Sequence, residues 1–340
     1  MAPSSTENDP FQGDHVISSE VVKTETDVWR LETIPGKGKG LIASEDIVSG
    51  TLILSDFPLL KTDVITSMET VERDLARALK ALPKTHQRAF LSLHNNYPGK
   101  NPLSNIIRSN GYPLGPGSEV GGVFPNLSRI NHSCKPNAKH SWNPALQKYV
   151  VYAIRSITKG QEILVSYLSG GDSQQRQREL KDNFGFTCAC ELCSLPALAL
   201  RASDSRLIRA DALNRTIGDS QSVRNSPAKV LKNCVRLRDI YLAEGVVDDR
   251  LPNLYYDCFQ INNIHGDQAR ASVFARKYCE EKRVAEGPDS VNALEMMPFV
   301  EDPSKDDSFG STQGWKSSVK DIPVGLDSGK FEKWLWREDA

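Results

Sequence analysis

Three cysteines crowd one short stretch near the middle of the chain. Cys188, Cys190 and Cys193 follow the spacing C-x-C-x-x-C in the segment GFTCACELCSLP. Thiolates at this spacing lie on one tight turn, but a closed tetrahedral zinc site needs four nitrogen or sulfur ligands. Cys134 is the natural candidate for the fourth ligand, because a Lys-Pro pair follows it and holds it in a turn. A structural zinc is favoured, while the spacing alone leaves a redox pair or unrelated thiols open.

The other cysteines carry no such spacing. Cys234, Cys258 and Cys279 occur singly in stretches with a helical pattern, so we expect them to be small buried apolar residues. The N-terminal residues lack the basic and then apolar layout of a secretory signal, which predicts a reducing compartment, cytoplasmic and/or nuclear. Thiols or metal ligands are therefore expected rather than disulfides.

Asn131 and His132 stand just before Cys134. A histidine in this place could be a general base, a zinc ligand or a hydrogen-bonded core residue, and taken alone the last is the safest interpretation. Tyr167 closes the apolar run QEILVSYL and by itself is a strand aromatic. The sequence has neither a G-x-S-x-G elbow nor an H-E-x-x-H pair, so serine-hydrolase and zincin chemistry have no support.

The stretch GKGKGLIA matches a short glycine pattern of dinucleotide-binding proteins, with Gly38, Gly40 and Ala43 at its fixed positions. That function requires a helix to begin here and to offer its first amides to a pyrophosphate. The surrounding residues predict strand, turn and strand instead. Two glycines in a β turn still allow a ligand to approach the backbone closely.

These residues must be positioned by a mixture of short strands and helices. The alternation of apolar and polar residues predicts strands, and apolar residues at helical spacing predict helices. Strands are predicted at 28–34, 41–47, 51–60, 148–157 and 161–168, and helices at 68–82, 85–95, 172–184, 203–217, 228–245 and 267–287. A Gly- and Pro-rich tract at 98–122 is interpreted as loop. The terminal KFEKWLWRED is predicted to dock onto the body, because exposed tryptophan is costly.

Length and charge bound the remaining possibilities. The 340 residues suffice for one large domain or two modest ones, each with its own core. The 42 basic and 43 acidic residues give a formal charge of -1, so no overall field indicates direct nucleic-acid binding. No apolar run approaches the length of a membrane helix.

Taken together and in order, four segments resemble the SET-domain protein-lysine methyltransferases, specifically the SMYD-type and fungal SET proteins. They are GKGL from Gly38, SRINHSCKPN from Ser128, GQEI through Ser166-Tyr167, and FGFTCACELC from Phe184. The region from 61 to 110 contains no cysteine, so the MYND zinc finger found in SMYD-type proteins is expected to be absent.

The resemblance implies an α+β chain with a SET-domain fold, in which short β-strands form a pseudoknot. It implies a SET domain (26–168) with a helical insert at about 61–110 and a zinc-bound post-SET segment (169–195). A helical C-terminal lobe (196–295), which the family makes tetratricopeptide-like, and a tail (296–340) follow. The polar, Ser- and Thr-rich start of the chain, without periodicity, predicts a disordered N-terminal arm (1–25). The protein is expected to be a monomer without membrane association.

The same resemblance implies the site. Residues Lys37, Gly38, Lys39, Gly40, Asn131 and His132, together with Tyr167 and Phe184, would hold S-adenosylmethionine. Tyr167 and Phe184 would also be catalytic, as the hydroxyl and the wall of a lysine channel. One structural zinc would be bound by Cys134, Cys188, Cys190 and Cys193.

The implied function is S-adenosylmethionine-dependent N-methylation of lysine in a histone or non-histone protein, and thus chromatin regulation. Two alternatives stay open at this point. One is a catalytically weak SET protein that acts as an interaction module through its helical lobe. The other is a small-molecule methyltransferase that reuses the pocket, because a fold does not determine its substrate.

Overall fold

The computed structural model describes residues 28–338. The predicted disordered arm at 1–25 lies outside the described residues. The described chain mixes short strands in its first half with helices in its second, which confirms the α+β class. None of its helices combines the length and the apolar character needed to span a bilayer.

Within residues 28–338, short strands form three small sheets. The strands are Trp29–Ile34 (β1), Gly38–Ala43 (β2), Leu52–Asp56 (β3), Leu60–Lys61 (β4), Gly111–Pro113 (β5), Gly121–Val123 (β6), Asn131–His132 (β7), Ala138–Asn143 (β8), Lys148–Ala153 (β9) and Glu162–Val165 (β10). The sheet orders are β1-β2-β10-β7, β3-β9-β8 and β4-β6-β5. Apolar residues of the first two sheets share one core around Leu41, Ile130 and Ile163.

The glycine-rich stretch forms the β1–β2 hairpin and not the helix start that a dinucleotide-binding motif requires. The two strands are antiparallel, with Ile34 opposite Gly38. Gly36 and Gly38 have φ angles of +74° and +78°, the left-handed region that glycine adopts without strain. No helix begins here, which confirms the prediction of strand, turn and strand. The second strand starts at Gly38 rather than at the predicted residue 41.

The parallel pair β7–β10 brings distant chain segments together. Asn131 lies opposite Leu164, and His132 lies opposite Val165. The pairing continues beyond β7, because Ser133 N–H donates to the Val165 carbonyl at 2.9 Å. Strand β7 therefore lies beside the end of β10, and β10 ends two residues before Tyr167.

Of the eleven α-helices in the described residues, three lie in the first half of the chain and eight in the second. They are Val71–Ala81 (α1), Lys84–Leu91 (α2), Pro102–Asn110 (α3), Ser173–Phe184 (α4), Ala197–Ile217 (α5), Ser220–Asn225 (α6), Pro227–Glu244 (α7), Arg250–Ile264 (α8), Gln268–Glu286 (α9), Val291–Glu301 (α10) and Ser328–Leu335 (α11). The predictions at 68–82, 85–95, 172–184, 228–245 and 267–287 are confirmed within a few residues. The helix predicted at 203–217 begins earlier, at Ala197.

The interpretation of 98–122 as loop was wrong in part. This tract contains α3 and the short strands β5 and β6. Pro102 stands at the first turn of α3, where a missing amide proton costs nothing, so the proline starts the helix instead of preventing it. Ile106 then packs into the core beneath α1, beside Leu75 and Leu79.

Helices α5 to α10 build a helical lobe with its own apolar core, centred on Phe259 and Phe274. Helix α9 packs against both β8 and β9 of the strand-rich half. Lys282 on α9 is within 2.9 Å of Asp249, and Asp249 also pairs with Lys139 on β8. The lobe therefore contacts the sheet through α9 and is joined to it by a partly buried ion-pair network.

The C-terminal segment docks on the lobe, as predicted. Leu335 and Trp336 are buried in the core of the lobe. The Trp336 indole N–H donates to Glu332 at 2.7 Å, so the buried ring keeps a hydrogen-bond partner.

Candidate active site and metal centre

The structure brings the four predicted metal ligands to one point. The sulfur atoms of Cys134, Cys188, Cys190 and Cys193, here called the cysteine cluster, all lie within 4.8 Å of one another. Cys134 Sγ is 3.9 Å from Cys188 Sγ and 3.6 Å from Cys193 Sγ. A tetrahedral zinc with Zn–S bonds of about 2.3 Å separates its sulfur ligands by about 3.8 Å. The donor set and the spacing therefore fit one zinc ion.

Local contacts hold the cluster in this shape. Gln177 on α4 brackets Cys188, because its Oε1 accepts from the Cys188 amide at 2.8 Å and its Nε2 donates to the Cys188 carbonyl at 2.7 Å. Hydrogen bonding among the four side chains lowers the pKa of Cys193 and Cys190 and raises the pKa of Cys134 and Cys188. Zinc bound by all four side chains requires four thiolates, so its binding would release protons.

His132 connects the cysteine cluster to Tyr167. Its Nδ1 accepts a hydrogen bond from the Tyr167 amide at 3.0 Å, so the proton of the neutral ring is on Nε2. Nε2 lies 3.3 Å from Cys134 Sγ and can donate to it. Burial lowers the pKa of His132 to about 4, so the ring is neutral at physiological pH. The histidine is therefore a hydrogen-bonded bridge, in line with the safest interpretation of the sequence.

Tyr167 is oriented by a second contact. Its hydroxyl donates to the Ile130 carbonyl at 2.6 Å, and its ring centroid is 4.8 Å from that of Phe184. Burial, with a smaller contribution from the charge of Glu162, raises the pKa of Tyr167 far above its usual range. The phenol therefore keeps its proton, and that proton is committed to Ile130. The remaining lone pairs of the oxygen can accept a hydrogen bond.

The predicted cofactor residues meet around a carboxylate to which the sequence analysis gave no role. Glu162 Oε2 is 2.8 Å from Lys37 Nζ, and its Oε1 accepts from Asn131 Nδ2 at 2.8 Å. Asn131 Nδ2 also donates to the Lys39 carbonyl at 3.1 Å. A methyl group at Gly40 would come within 2.8 Å of both Asn131 and Glu162, so only glycine permits this approach.

One predicted side chain lies away from this group. Lys39 Nζ donates to Thr33 Oγ1 at 3.0 Å and is exposed, so only the backbone of Lys39 reaches Asn131. Lys37 Nζ and the backbone from Lys37 to Gly40 remain on the side of Glu162.

Tyr112 and Phe186 also lie near the predicted site residues and were given no role by the sequence. Tyr112 and Tyr167 both pack against the apolar core around Leu41. The Phe186 ring centroid is 6.1 Å from that of His132. Tyr112 lies on β5, in the tract interpreted as loop, where no alternation of apolar residues marked a strand. Phe186 stands two residues from Phe184, and only that proximity could have indicated it.

Comparison with known proteins agrees with this geometry. Residues 38–168 match the SET domain family. The histone-lysine N-methyltransferase set5 of Schizosaccharomyces pombe is 34% identical over 283 residues, which cover 82% of this chain and 85% of that protein. Shorter matches are histone-lysine N-methyltransferase ASHR1 of Arabidopsis thaliana, 43% identical over 22% of this chain and 15% of its own length, and SMYD1 of Homo sapiens, 34% identical over 26% and 21%. The chain therefore belongs to the SET-domain protein-lysine methyltransferase family.

Proposed function

We propose that this protein is an S-adenosylmethionine-dependent lysine N-methyltransferase that acts on a protein substrate. One observation carries the proposal. The Tyr167 hydroxyl is held by the Ile130 carbonyl, and its ring packs on Phe184, close to strand β7 with Asn131 and His132. Methyl transfer to an amine requires that the reacting groups are aligned and shielded from water, and an oriented phenol between β7 and an aromatic ring suits this requirement.

S-adenosylmethionine, when bound, supplies a methyl group on a positively charged sulfur. The backbone from Lys37 to Gly40, with Asn131 and His132, would hold it. The surroundings suit a cation, because the faces of Tyr167 and Phe184 attract positive charge and the Glu162 carboxylate offsets the charge of Lys37. His132 is neutral and adds no repulsion.

Tyr167 would orient the acceptor amine without removing its proton. Because the phenol remains protonated and donates to Ile130, its free lone pairs can accept a hydrogen bond from a lysine amine. A free lysine has a pKa of about 10.4, and desolvation in an aromatic channel lowers it. The channel therefore favours the neutral amine, which is the nucleophilic form.

Zinc in the cysteine cluster would be structural. Four thiolates complete a tetrahedral shell and leave no position for a reactive water. The metal would tie Cys134, two residues after His132, to the segment that follows Phe184. Its function would be to keep the two walls of the channel together.

The names of the relatives support a substrate class. Three of the similar proteins are named histone-lysine methyltransferases, which favours histone lysine and, with it, nuclear residence. The methyl-acceptor groove would be bounded by the segment around Tyr97, whose hydroxyl donates to the Asn183 carbonyl next to Phe184.

Radiolabelled methyl transfer tests the function. The purified protein is incubated with methyl-labelled S-adenosylmethionine and either histone octamers or cell extract. We expect label in protein bands that acid hydrolysis identifies as methyl-lysine. Label only in low-mass products would indicate a small-molecule enzyme, and bound cofactor without any transfer would indicate an interaction module. Either result would contradict the proposal.

A further inference from the structure

A buried arginine lies against the cysteine cluster. Arg176, on the first turn of α4, is only 2% exposed. Its Nη1 donates to the Gly171 carbonyl at 2.6 Å, and its Nε is buried without a hydrogen-bond partner. Arginine keeps its charge in proteins, so a full positive charge is buried at this position. A buried charge is costly unless an opposite charge compensates it.

The compensating charge does not come from a carboxylate. Within residues 28–338, the ion pairs of aspartate and glutamate involve other cations, including Lys135 and Arg250 nearby. Arg176 Nη2 instead lies 3.8 Å from Cys193 Sγ, at the long limit of an N–H···S hydrogen bond. The cysteine cluster is therefore the anionic partner of this arginine.

Charge counting shows what the contact does. Four thiolates around one Zn²⁺ leave a net charge of about -2, in a site that is half-buried. The His132 Nε2–H reaches Cys134 from one side, and the guanidinium reaches Cys193 from another. We propose that Arg176 is a positioning residue that stabilises the zinc-bound cysteine cluster by supplying its counter-charge. This inference rests on the proposed zinc site.

Because Arg176 lies on α4, its contact with the cysteine cluster also affects the proposed lysine channel. The same helix carries Gln177, which brackets Cys188, and ends with Phe184 against Tyr167. Loss of the metal would leave the Arg176 charge buried without its partner at the start of this helix. The charge contact therefore couples metal binding to the placement of the aromatic wall.

Zinc affinity in three variants separates charge from packing. Arg176→Lys keeps the charge, Arg176→Met keeps an apolar chain of comparable length, and Arg176→Gln keeps a donor that can reach Gly171. The control is Arg178→Gln, on the exposed face of the same helix. Zinc is measured first by elemental analysis, and its dissociation constant is then measured by competition with a chromophoric chelator. Cobalt substitution reports the ligand set, because thiolate-to-cobalt charge transfer reveals how many sulfurs bind.

We expect Arg176→Met and Arg176→Gln to weaken zinc binding by about tenfold to a hundredfold, the usual effect of removing an outer-sphere partner. Arg176→Lys should lose less, Arg178→Gln should match the wild type, and the cobalt spectrum should show four thiolates throughout. Wild-type zinc affinity in Arg176→Met would overturn the role of Arg176 and leave the zinc site intact. A wild-type protein without zinc would overturn both.

Discussion

Cysteine side chains have polar neighbours in the cysteine cluster and apolar neighbours in the helical lobe. Cys134, Cys190 and Cys193 are half-buried and converge with Cys188 among polar neighbours, which are His132, Arg176 and Gln177. Cys234, Cys258 and Cys279 are at most 2% exposed and contribute to an apolar core. Burial raises the pKa of Cys258 well above its usual range, which makes it an inert thiol.

The difference teaches that neighbours, rather than residue type, decide what a cysteine does. A thiol becomes a metal ligand where other thiols and positive or hydrogen-donating groups favour its ionised form. In the lobe, the same group only fills space. The half of the molecule with the cluster is expected to carry the chemistry, and the lobe is expected to support it.

The largest expected effect is the loss of metal on substitution in the cluster. Cys188→Ser should reduce zinc from about one ion per chain to near zero and destabilise the protein strongly, since metal-binding energy is folding energy. Cys258→Ala, the matched change in the lobe, should keep its zinc and cost about 1 kcal/mol of unfolding free energy. Elemental analysis and chemical denaturation measure both. A metal-free Cys188→Ser protein with full stability and activity would contradict the zinc assignment.

The same comparison between the two regions can be made for methyl-transfer activity with one tyrosine from each region. Tyr167→Phe should lower turnover by about 100-fold while cofactor affinity stays nearly intact, because the acceptor amine loses its orienting oxygen. Tyr241→Phe, at a buried position of α7, should leave turnover unchanged. Steady-state kinetics on a confirmed substrate and calorimetric titration of the cofactor test this pair. Unchanged turnover in Tyr167→Phe would remove Tyr167 from the reaction.

Substitution of Glu162 tests whether this carboxylate supports cofactor binding. Glu162→Ala removes the acceptor of Asn131 and the partner of Lys37, and we expect the KM for S-adenosylmethionine to rise about tenfold or more. Glu162→Gln retains an acceptor for Asn131 and should lose less. Glu45→Ala, at an exposed position after β2, serves as the control. If all three proteins share one KM, Glu162 does not support the cofactor site.

The smallest expected effect concerns acid stability. Burial, with the charge of Lys139, lowers the pKa of His140 to about 4, from an ordinary value of 6.5. Between pH 6.5 and pH 4 the imidazole of His140 is protonated in the unfolded chain but not in the folded protein. The free energy of unfolding therefore decreases as the pH falls from 6.5 toward 4. His140→Phe should reduce this loss by an amount on the order of 1 kcal/mol. Parallel denaturation curves of the two proteins at pH 7 and pH 5 measure it, and an equal loss in both would show that His140 does not contribute.

Much of the site could be predicted from the sequence, because most of the predicted site residues lie in a few short motifs. The convergence of Cys134 with a turn more than fifty residues later could be expected from the ligand count and from the family resemblance. The sequence did not predict the contacts of three residues, Glu162, Arg176 and Tyr112. These contacts form only when β10, α4 and β5 pack against segments that are distant in sequence.

Helices and strands were predictable where apolar residues recur at a regular spacing, and less predictable where this spacing is irregular. Helices α1, α7 and α9 were found from apolar spacing and terminal residues. Helices α8 and α10 were not assigned. Pro252 lies in the first turn of α8, where proline is tolerated, whereas Pro298 lies inside α10 and disfavours a helix. Packing onto α9 stabilises α10 in spite of Pro298.

X-ray absorption spectroscopy at the zinc edge tests the central claim most directly, namely that four cysteines from two remote segments bind one metal beside the methyl-transfer site. The purified protein should show a shell of four sulfur atoms at about 2.3 Å. A shell that contains nitrogen or oxygen, or a protein that contains no zinc, would contradict the account.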